Sequence, residues 1–422
     1  MEFLRGRVLK PGDDGFDAAA RPWNLKDQTV SAVVEAAGAD DVASLLRYAA
    51  GNGLTVATQA GGHGASGNTD GAILLRLTDF DELHVDPATG RARAGAGVRW
   101  GAVQRAAAAH GLTGLAGSSP IVSVTGYTLG GGLSWFGRAH GWAADSVTAL
   151  DVVTADGGSR RVTAESDAEL FWALRGGGGD YAVVTAVEFA LHPAPSVYGG
   201  RMVWPADRAS AVLDTFREVT ASAGKGLTLW YGLASFPGAD PLVAVDVTYL
   251  GPAAEAEELL RPFGKPTIAD TRRAMTPADL GEITADPIEP SAGTSRSLLL
   301  TSLDEAESAL LAQPLAPVFG VQLRHTGGAL AGPSSTPFGP LTEPYYIYCF
   351  GAPIPATRAG LDELTTRLGK SVSPRKPYFA LSPGDTAADA FDPPTLDRLR
   401  AVKQRLDPGG TLRANYPITA GA

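Results

Sequence analysis

Apolar and polar positions alternate in short bursts over the first ~190 residues, and each burst ends at a turn signal. "SAVVEAA", Ser31 to Ala37, reads as a strand. "ADDVASLLRYAAGNG" opens on acidic residues and closes on glycine, which predicts a capped helix from Asp40 to Ala50. "TVAT" and "AILLRL" are strands on either side of a Gly–His turn, and "RARAGAG" is another. "WGAVQRAAAAHG", Trp100 to Gly111, is a helix stopped by glycine. "SVTALDVVTADGGSRRVTA" is a hairpin turned at Asp156-Gly157. "ELFWALRGGGGDYAVVTAVEFAL" carries a short helix, a four-glycine loop and a strand. From about Val197 the texture changes. Strands are predicted near 227, 242, 297, 319 and 345, with helices over Pro252 to Phe263, Leu303 to Gln313 and Ala356 to Gly369. That pattern fits an antiparallel sheet backed by helices. Pro333 to Pro344 is a Pro/Ser-rich loop, and the tail is a basic amphipathic helix, an Asp407-Pro408-Gly409-Gly410 turn and a short strand. No internal repeat is visible, and the fold class is α+β.

Composition narrows the function. The chain has 422 residues, 44% of them apolar, long enough for two or three domains. Its 52 glycines are roughly 12% of the chain, against a usual ~7%. That excess points to tight turns or backbone-lined grooves. A formal charge of −10 with no basic run argues against nucleic acid. Cys349 is the only cysteine, so an intrachain disulfide and a thiolate metal cluster are excluded, and no metal site is expected. The first residues carry charges where a signal peptide needs an apolar core, and no run of ~18 apolar residues exists. The expectation is a soluble, cytoplasmic protein without a membrane partner. "GAGVRWG" at Gly95 lacks the third glycine of the dinucleotide fingerprint, and neither a phosphate loop nor a nucleophile elbow occurs.

Three glycine-rich turns remain: Gly61, Gly62 and His63; "SSPIVSVTGYTLGGGLSW", with Gly126 and Gly130 to Gly132; and "RGGGGDYAVVT", Arg175 to Thr185. Glycine lets backbone N–H groups approach a phosphate with no Cβ in the way, so three such turns can together cradle a pyrophosphate. Their order, together with "RPWN" at Arg21 to Asn24, "GASGNTDGAILLRL", "GYTLGGGLSWFGRAHGWAADSVTALDVVTADG", "ELFWALRGGGGDYAVVT" and "LRAVKQRLDPGGTLRANYPI", resembles the flavin-linked oxidases of the vanillyl-alcohol oxidase / p-cresol methylhydroxylase superfamily. Within it the chain is most similar to the berberine bridge enzyme-like branch. The resemblance implies a two-part FAD-binding domain of the p-cresol methylhydroxylase type, residues 1–195 and 375–422. An inserted substrate domain, residues 196–374, lies between the two parts.

The resemblance also implies site roles. His63 is the residue expected to be joined covalently to the 8α-methyl of FAD. Some relatives carry a second link through a cysteine, but Ser119 stands at that position, so a single linkage is expected. An arginine common before "GGH" is Gln59 here, and the usual aromatic–Gly pair before "VVT" is Tyr181-Ala182. Gln59, Ala60, Gly61, Gly62, His63 and Gly64 are expected around the pyrophosphate, with Gly67 nearby. Ser119, Val124, Thr125, Gly126, Gly130 and Gly131 should line the second loop. Asp145 should lie close to it, Val183 or Val184 should face the adenine or ring edge, and Asn415 and Tyr416 should return beside the flavin. The family moves a hydride from substrate to flavin and then passes electrons to molecular oxygen, releasing hydrogen peroxide. Relatives often use a tyrosine as base; Tyr378 in "RKPYFALSPGD" leads, although alanine replaces the usual Asn two residues on. Tyr348, Tyr346 and Tyr416 compete. "LRHTGGAL" resembles a strand and turn bordering the substrate cleft, where Arg324 and His325 are candidates for an anionic or phenolic group, and Tyr127 and Trp135 lie beside the second loop. The substrate is expected to be a small or medium organic molecule, a secondary metabolite or sugar. A flavoprotein promoting a cyclisation without net redox is the alternative, and a binding module without turnover is a third reading.

Overall fold

The computed structural model describes residue 1 and residues 3–419, apart from 312, 314, 315 and 383. The N-terminal part holds two five-stranded sheets. The first runs in the order Arg7–Leu9, Val30–Glu35, Ala72–Arg76, Val56–Thr58 and Leu412–Arg413. Its last four strands are mutually parallel, so the chain terminus completes a sheet begun some four hundred residues earlier. A parallel strand is covered on both faces, and all five residues of Ala72–Arg76 are buried accordingly. The helix Ala39–Gly51 crosses between Val30–Glu35 and Val56–Thr58. It sinks Val42, Leu45, Leu46 and Ala49 against the sheet at three- and four-residue spacing. Asp41 in its first turn accepts the backbone N–H groups of Arg5, Gly6 and Ala37 at 2.9, 2.8 and 3.0 Å.

The second sheet is antiparallel, in the order Leu83–Asp86, Arg91–Gly95, Val183–Ala190, Val147–Val153 and Ser159–Val162. The helix Trp100–Ala108 and the tail helix Pro393–Leu406 share a core with it, where Trp100, Val103, Leu399 and Val402 meet Leu150, Val184 and Val187.

Residues from Val197 to Gly351 form an eight-stranded antiparallel sheet. Alternation along its strands separates two faces. Met202, Val245, Tyr231, Leu323 and Ile347 pack with the helices Ala209–Ser222, Ala253–Leu260 and Pro355–Leu368. The other face packs on the N-terminal part, through Trp230 in one cluster and Leu299 and Tyr346 in another. Trp135 and Trp230 stack across that seam at 3.5 Å. Arg138 fastens it, donating to the carbonyls of Leu227 at 2.8 Å and Ala223 at 2.9 Å, and to that of Thr326.

The sequence reading did not name the strand Val197–Pro205 or the helix Ala209–Ser222, nor the strands Arg7–Leu9 and Leu83–Asp86 and the helices Phe16–Ala20 and Val124–Leu129. The strand Val197–Pro205 holds Gly199-Gly200, a pair that reads as a turn. Here the glycines serve close approach, because a Cβ on Gly199 would fall 2.6 Å from the Met275 sulfur and one on Gly200 2.6 Å from Arg272 Cα. Among the described residues no helix is long and apolar enough to cross a membrane.

Candidate active site

Two parallel strands, Val56–Thr58 and Leu412–Arg413, end side by side. Their carboxyl ends feed directly into Gln59–Asn68 and Ala414–Ile418, the position where open α/β sheets bind ligands. Asn415 locks the two segments together. Its Oδ1 accepts from Ser66 N at 2.8 Å, its Nδ2 donates to the Gly64 carbonyl at 2.8 Å, and its own carbonyl accepts from Ser66 Oγ at 2.7 Å. Buried Arg76 braces the start of the loop, donating to the carbonyls of Ala19, Gln59 and Arg21 at 3.0, 3.2 and 2.9 Å. Burial pulls its pKa down to about 10. The Gln59 side chain exchanges hydrogen bonds with Gln28 rather than facing the turn.

Within this frame the backbone N–H groups of Ala60, Gly61, Gly62, His63 and Gly64 meet no acceptor among the described residues. Five consecutive unanswered amides make a receptor for anionic oxygens. Gly62 has φ +71°, and a Cβ there would lie 2.6 Å from Pro22 Cβ. Gly61 and Gly64 differ: a Cβ on either would meet nothing within 4 Å. His63 is exposed, and its imidazole makes no hydrogen bond among the described residues. It stacks flat on Trp23, with ring centroids 4.2 Å apart and planes 11° apart. Partial desolvation outweighs the field of Asp286 and lowers its pKa, which favours the neutral ring. Trp23 is itself tied to the 286–291 loop, donating from Nε1 to the Ile288 carbonyl at 3.3 Å and accepting at its carbonyl from Ser291 N at 3.1 Å.

The second glycine segment divides in two. Ser123 caps the helix Val124–Leu129, accepting from Gly126 N at 3.3 Å. Ahead of it Ser119, and within it Thr125, bury hydroxyls that find no protein partner. Gly126 is exposed with open space over it. Gly130 and Gly131 instead pack inward: a Cβ on Gly130 would press on Phe379 Cβ at 3.2 Å. With Gly176 and Thr336 they bound a small cavity.

The third glycine loop joins both others. Gly178 N donates to the Leu129 carbonyl at 2.9 Å. Asp180, buried, accepts from Ala414 N at 3.2 Å, Ile418 N at 2.8 Å and Lys403 Nζ at 3.3 Å. Lys403 also reaches Asp407 Oδ2 and the Leu412 carbonyl, each at 2.7 Å. A hydrogen-bonded path therefore runs from the first loop through Asn415 and the tail to Asp180, and from Gly178 to the second loop.

Several expected positions hold other duties. Asp145 clasps the Pro/Ser-rich loop, accepting from Ser334 Oγ at 3.0 Å and Ser335 N at 3.3 Å. Burial raises its pKa. Val183 and Val184 pair with Val153 and Val152 in the second sheet, and their side chains enter two different cores. Gly67, with φ +88°, lies against the Asp27 carbonyl, which a Cβ would approach to 2.9 Å. Tyr378, the leading candidate for the base, sits in the core of the N-terminal part. Its hydroxyl donates to the Tyr416 carbonyl at 3.0 Å, and burial raises its pKa far above the usual phenol range. The Tyr416 hydroxyl donates to the Leu381 carbonyl at 3.0 Å. Both phenols are internal fasteners of the tail, because Tyr378–Ala380 folds as a single turn that puts the Tyr378 ring under Gly178.

The face of the large sheet turned toward the N-terminal part carries a row of polar and aromatic side chains. Cross-strand register sets Arg201, Asp246, Trp230, Arg324 and Tyr346 in one row across five strands. Asp246, 2% exposed, takes Arg201 as a bidentate partner at 2.5 and 3.0 Å. Tyr346 donates to Ser297 Oγ at 2.8 Å. Tyr348 shares that face two residues on; burial pushes its pKa up to about 12, against the opposing pull of Arg324. Asp286 makes no hydrogen bond or ion pair among the described residues, yet its field reaches His63, Arg201, Asp246 and Tyr348. It follows Ala285, a non-glycine residue at φ 49°, ψ 45°, a backbone state costing ~1–2 kcal/mol. Sequence reading missed Arg201, Asp246 and Asp286. The first two stand 45 residues apart and meet only through strand pairing, and no local motif marks the third.

A family model described as "FAD binding domain" matches residues 30–163. The (R)-6-hydroxynicotine oxidase of Paenarthrobacter nicotinovorans is 29% identical over 98% of this chain and 97% of its own length. A crystal structure of 6-hydroxy-D-nicotine oxidase from Arthrobacter nicotinovorans superposes with a TM-score of 0.85 at 25% identity, covering 99% of this chain and 98% of that one. Physcomitrella patens BBE-like 1 shares the fold, with a TM-score of 0.87 at 19% identity over 99% and 98% of the two chains. The chain is an FAD-linked oxidoreductase: it carries an FAD-binding domain and is similar along nearly its whole length to a flavin-linked oxidase, in keeping with the resemblance that its glycine turns show.

Proposed function

We propose that this enzyme is an FAD-dependent oxidase of a small or medium organic substrate, with FAD joined through His63 alone and with molecular oxygen as the final acceptor, released as hydrogen peroxide. The observation that carries this reading is the run of unanswered amides from Ala60 to Gly64 beside a free, neutral imidazole. The residues present fit the cofactor. A pyrophosphate needs several N–H donors and no side chain in the way, as over Gly61 and Gly64. The buried hydroxyls of Ser119 and Thr125 also lack partners, and each unmade bond costs ~1–3 kcal/mol until a ligand satisfies it.

FAD, when bound, supplies a two-electron acceptor for a hydride from a substrate carbon. The chain's own groups do the rest. His63 keeps a lone pair at neutral pH because desolvation by its neighbours lowers its pKa, and Trp23 fixes the plane of its ring. Ser119 offers a hydroxyl where a second thiolate link would need cysteine. Cys349 is buried on the helix-facing side of the sheet, with its thiol pKa raised by burial. The substrate lies between the glycine loops and the row from Arg201 to Tyr346, a seam that excludes water through stacked Trp135 and Trp230. At neutral pH Tyr348 holds its proton, so it donates a hydrogen bond to the substrate. Asp286, which has no ion-pair partner among the described residues and whose field reaches Tyr348, is the carboxylate assigned to receive the substrate's proton.

The test is direct. Purified protein is to be yellow and to keep its colour through acid precipitation, while His63→Ala releases its flavin on denaturation. A substrate screen with peroxide detection is to find compounds that bleach the flavin anaerobically and let it recolour in air. Turnover with a constant oxidised spectrum and no peroxide would favour the cyclisation reading.

A further inference from the structure

The sheet face that looks toward the N-terminal part carries a cation, Arg324, that has no carboxylate partner among the described residues. Arg324 is half-buried, and its Nε donates to Gln322 Oε1 at 2.8 Å. Its two terminal nitrogens meet no acceptor and no carboxylate among the described residues. Four N–H donors of a partly desolvated guanidinium therefore stand unused, a state proteins avoid unless a ligand fills it. Arg201, in the same row, shows the contrast, since Asp246 engages it with both oxygens. Asp246 is thereby committed and cannot serve Arg324.

The surroundings narrow the ligand. The guanidinium lies 3.9 Å over the Trp230 ring and 5.3 Å from the centroid of Tyr346, and Trp230 is backed by Trp135. Stacking holds the guanidinium plane and leaves its edge, where the donors are, free. Beside it stands Tyr127 of the second glycine segment, whose buried hydroxyl has no partner and which feels the Arg324 charge. His325 is no rival. Strand alternation sends it to the opposite face, where a ring nitrogen lies 2.9 Å from Arg138 Nη1.

We propose that Arg324 receives the carboxylate of the substrate, two oxygens on the edge of the guanidinium fork that the Trp230 and Tyr346 rings leave free. This deepens the oxidase reading and rests on it, because the sheet face is a substrate wall only if the glycine loops hold the flavin.

The experiment is calorimetric titration of the flavin-loaded protein with benzoate, with its neutral counterpart benzyl alcohol, and with inorganic phosphate as competitor. Wild type is expected to prefer benzoate to benzyl alcohol at least ~10-fold, and phosphate is expected not to displace it. Arg324→Gln is expected to weaken benzoate ~10- to 100-fold and to leave benzyl alcohol and the flavin content unchanged. Arg324→Lys is expected to recover only part of the loss, since an ammonium lacks the planar fork. Equal benzoate affinity in wild type and Arg324→Gln would overturn the proposal. So would a wild type that ignores benzoate, or phosphate displacing it. The preference of wild type for benzoate is measured independently of any variant's folding. Wild type purified without flavin, seen in its absorbance before any ligand is added, would sink the oxidase reading instead.

Discussion

The two walls that the proposed function assigns to cofactor and substrate are made of different material. The wall of glycine turns is backbone: its donors are amides, its shape depends on positive φ angles, and Asn415, Asp180 and Arg76 hold it from behind. The opposing wall is side chain: Arg201, Asp246, Trp230, Arg324 and Tyr346 stand on a regular sheet that contributes no special conformation. A backbone site suits a cofactor that never changes. A side-chain row can be rewritten one residue at a time without disturbing the fold, which suits a substrate that differs between relatives. The contrast predicts that damage to the first wall appears as lost flavin or lost stability, and damage to the second as altered substrate handling with flavin intact.

The largest effect should come from Asp180→Ala. It leaves the buried amides of Ala414 and Ile418 without an acceptor, while Lys403 keeps Asp407, so at ~1–3 kcal/mol for each stranded donor unfolding in urea should show a loss of ~3–5 kcal/mol. Flavin content should fall with it, because the tail and third loop part. Unchanged stability would mean that the loops are held by something other than this cluster.

Acid should act next on His192, whose Nε2 lies 2.9 Å from Ser146 Oγ and whose ring stacks on that of His140 with centroids 4.1 Å apart. Burial, and then the neighbouring His140, hold His192 down to about 4. An unfolded histidine titrates near ~6.5, so the unfolded chain binds this proton first. The contribution is complete above pH ~6.5 and drains as pH falls toward 4, on the order of 3 kcal/mol in all. His192→Gln should flatten the stability profile in that window, and a profile identical to wild type there would contradict the assignment.

Two glycines sharpen the comparison further. Gly62→Ala places a Cβ against Pro22 at φ +71° and should cost ~1–3 kcal/mol in melting or urea experiments. Gly61→Ala meets no protein atom, so its melting temperature without flavin should match wild type while flavin loading drops. Equal loading would show that the open space belongs to solvent. The smallest effect belongs to the other wall: Tyr348→Phe should raise KM ~3- to 10-fold for the loss of one neutral hydrogen bond. Bound flavin per chain should stay unchanged.

The same contrast explains what could be read from the chain beforehand. Glycine-rich segments advertise themselves locally, so the loops near Gly61, Gly130 and Arg175 were legible, as was a short strand after the Asp407–Gly410 turn; its parallel pairing with Val56–Thr58 was not. Positions inside those loops were not. Asp145 and the Tyr378–Tyr416 pair look like site residues in sequence, yet each is spent on an intramolecular clasp whose partner lies 189, 190 or 38 residues away. The Arg201–Asp246 pair and Asp286 escaped notice for the complementary reason, since long-range strand register and one left-handed alanine assemble them. Gly199-Gly200 hid a strand because packing under Met275 and Arg272, rather than a turn, is what requires glycine there.

The most direct test is where the flavin resides once the fold is gone. Purified protein should be denatured, digested and analysed by mass spectrometry for flavin-bearing peptides. The account predicts one modified peptide, the one containing His63, and none containing Ser119 or Cys349. Flavin released entirely into the supernatant, or attached to any peptide lacking His63, would contradict it.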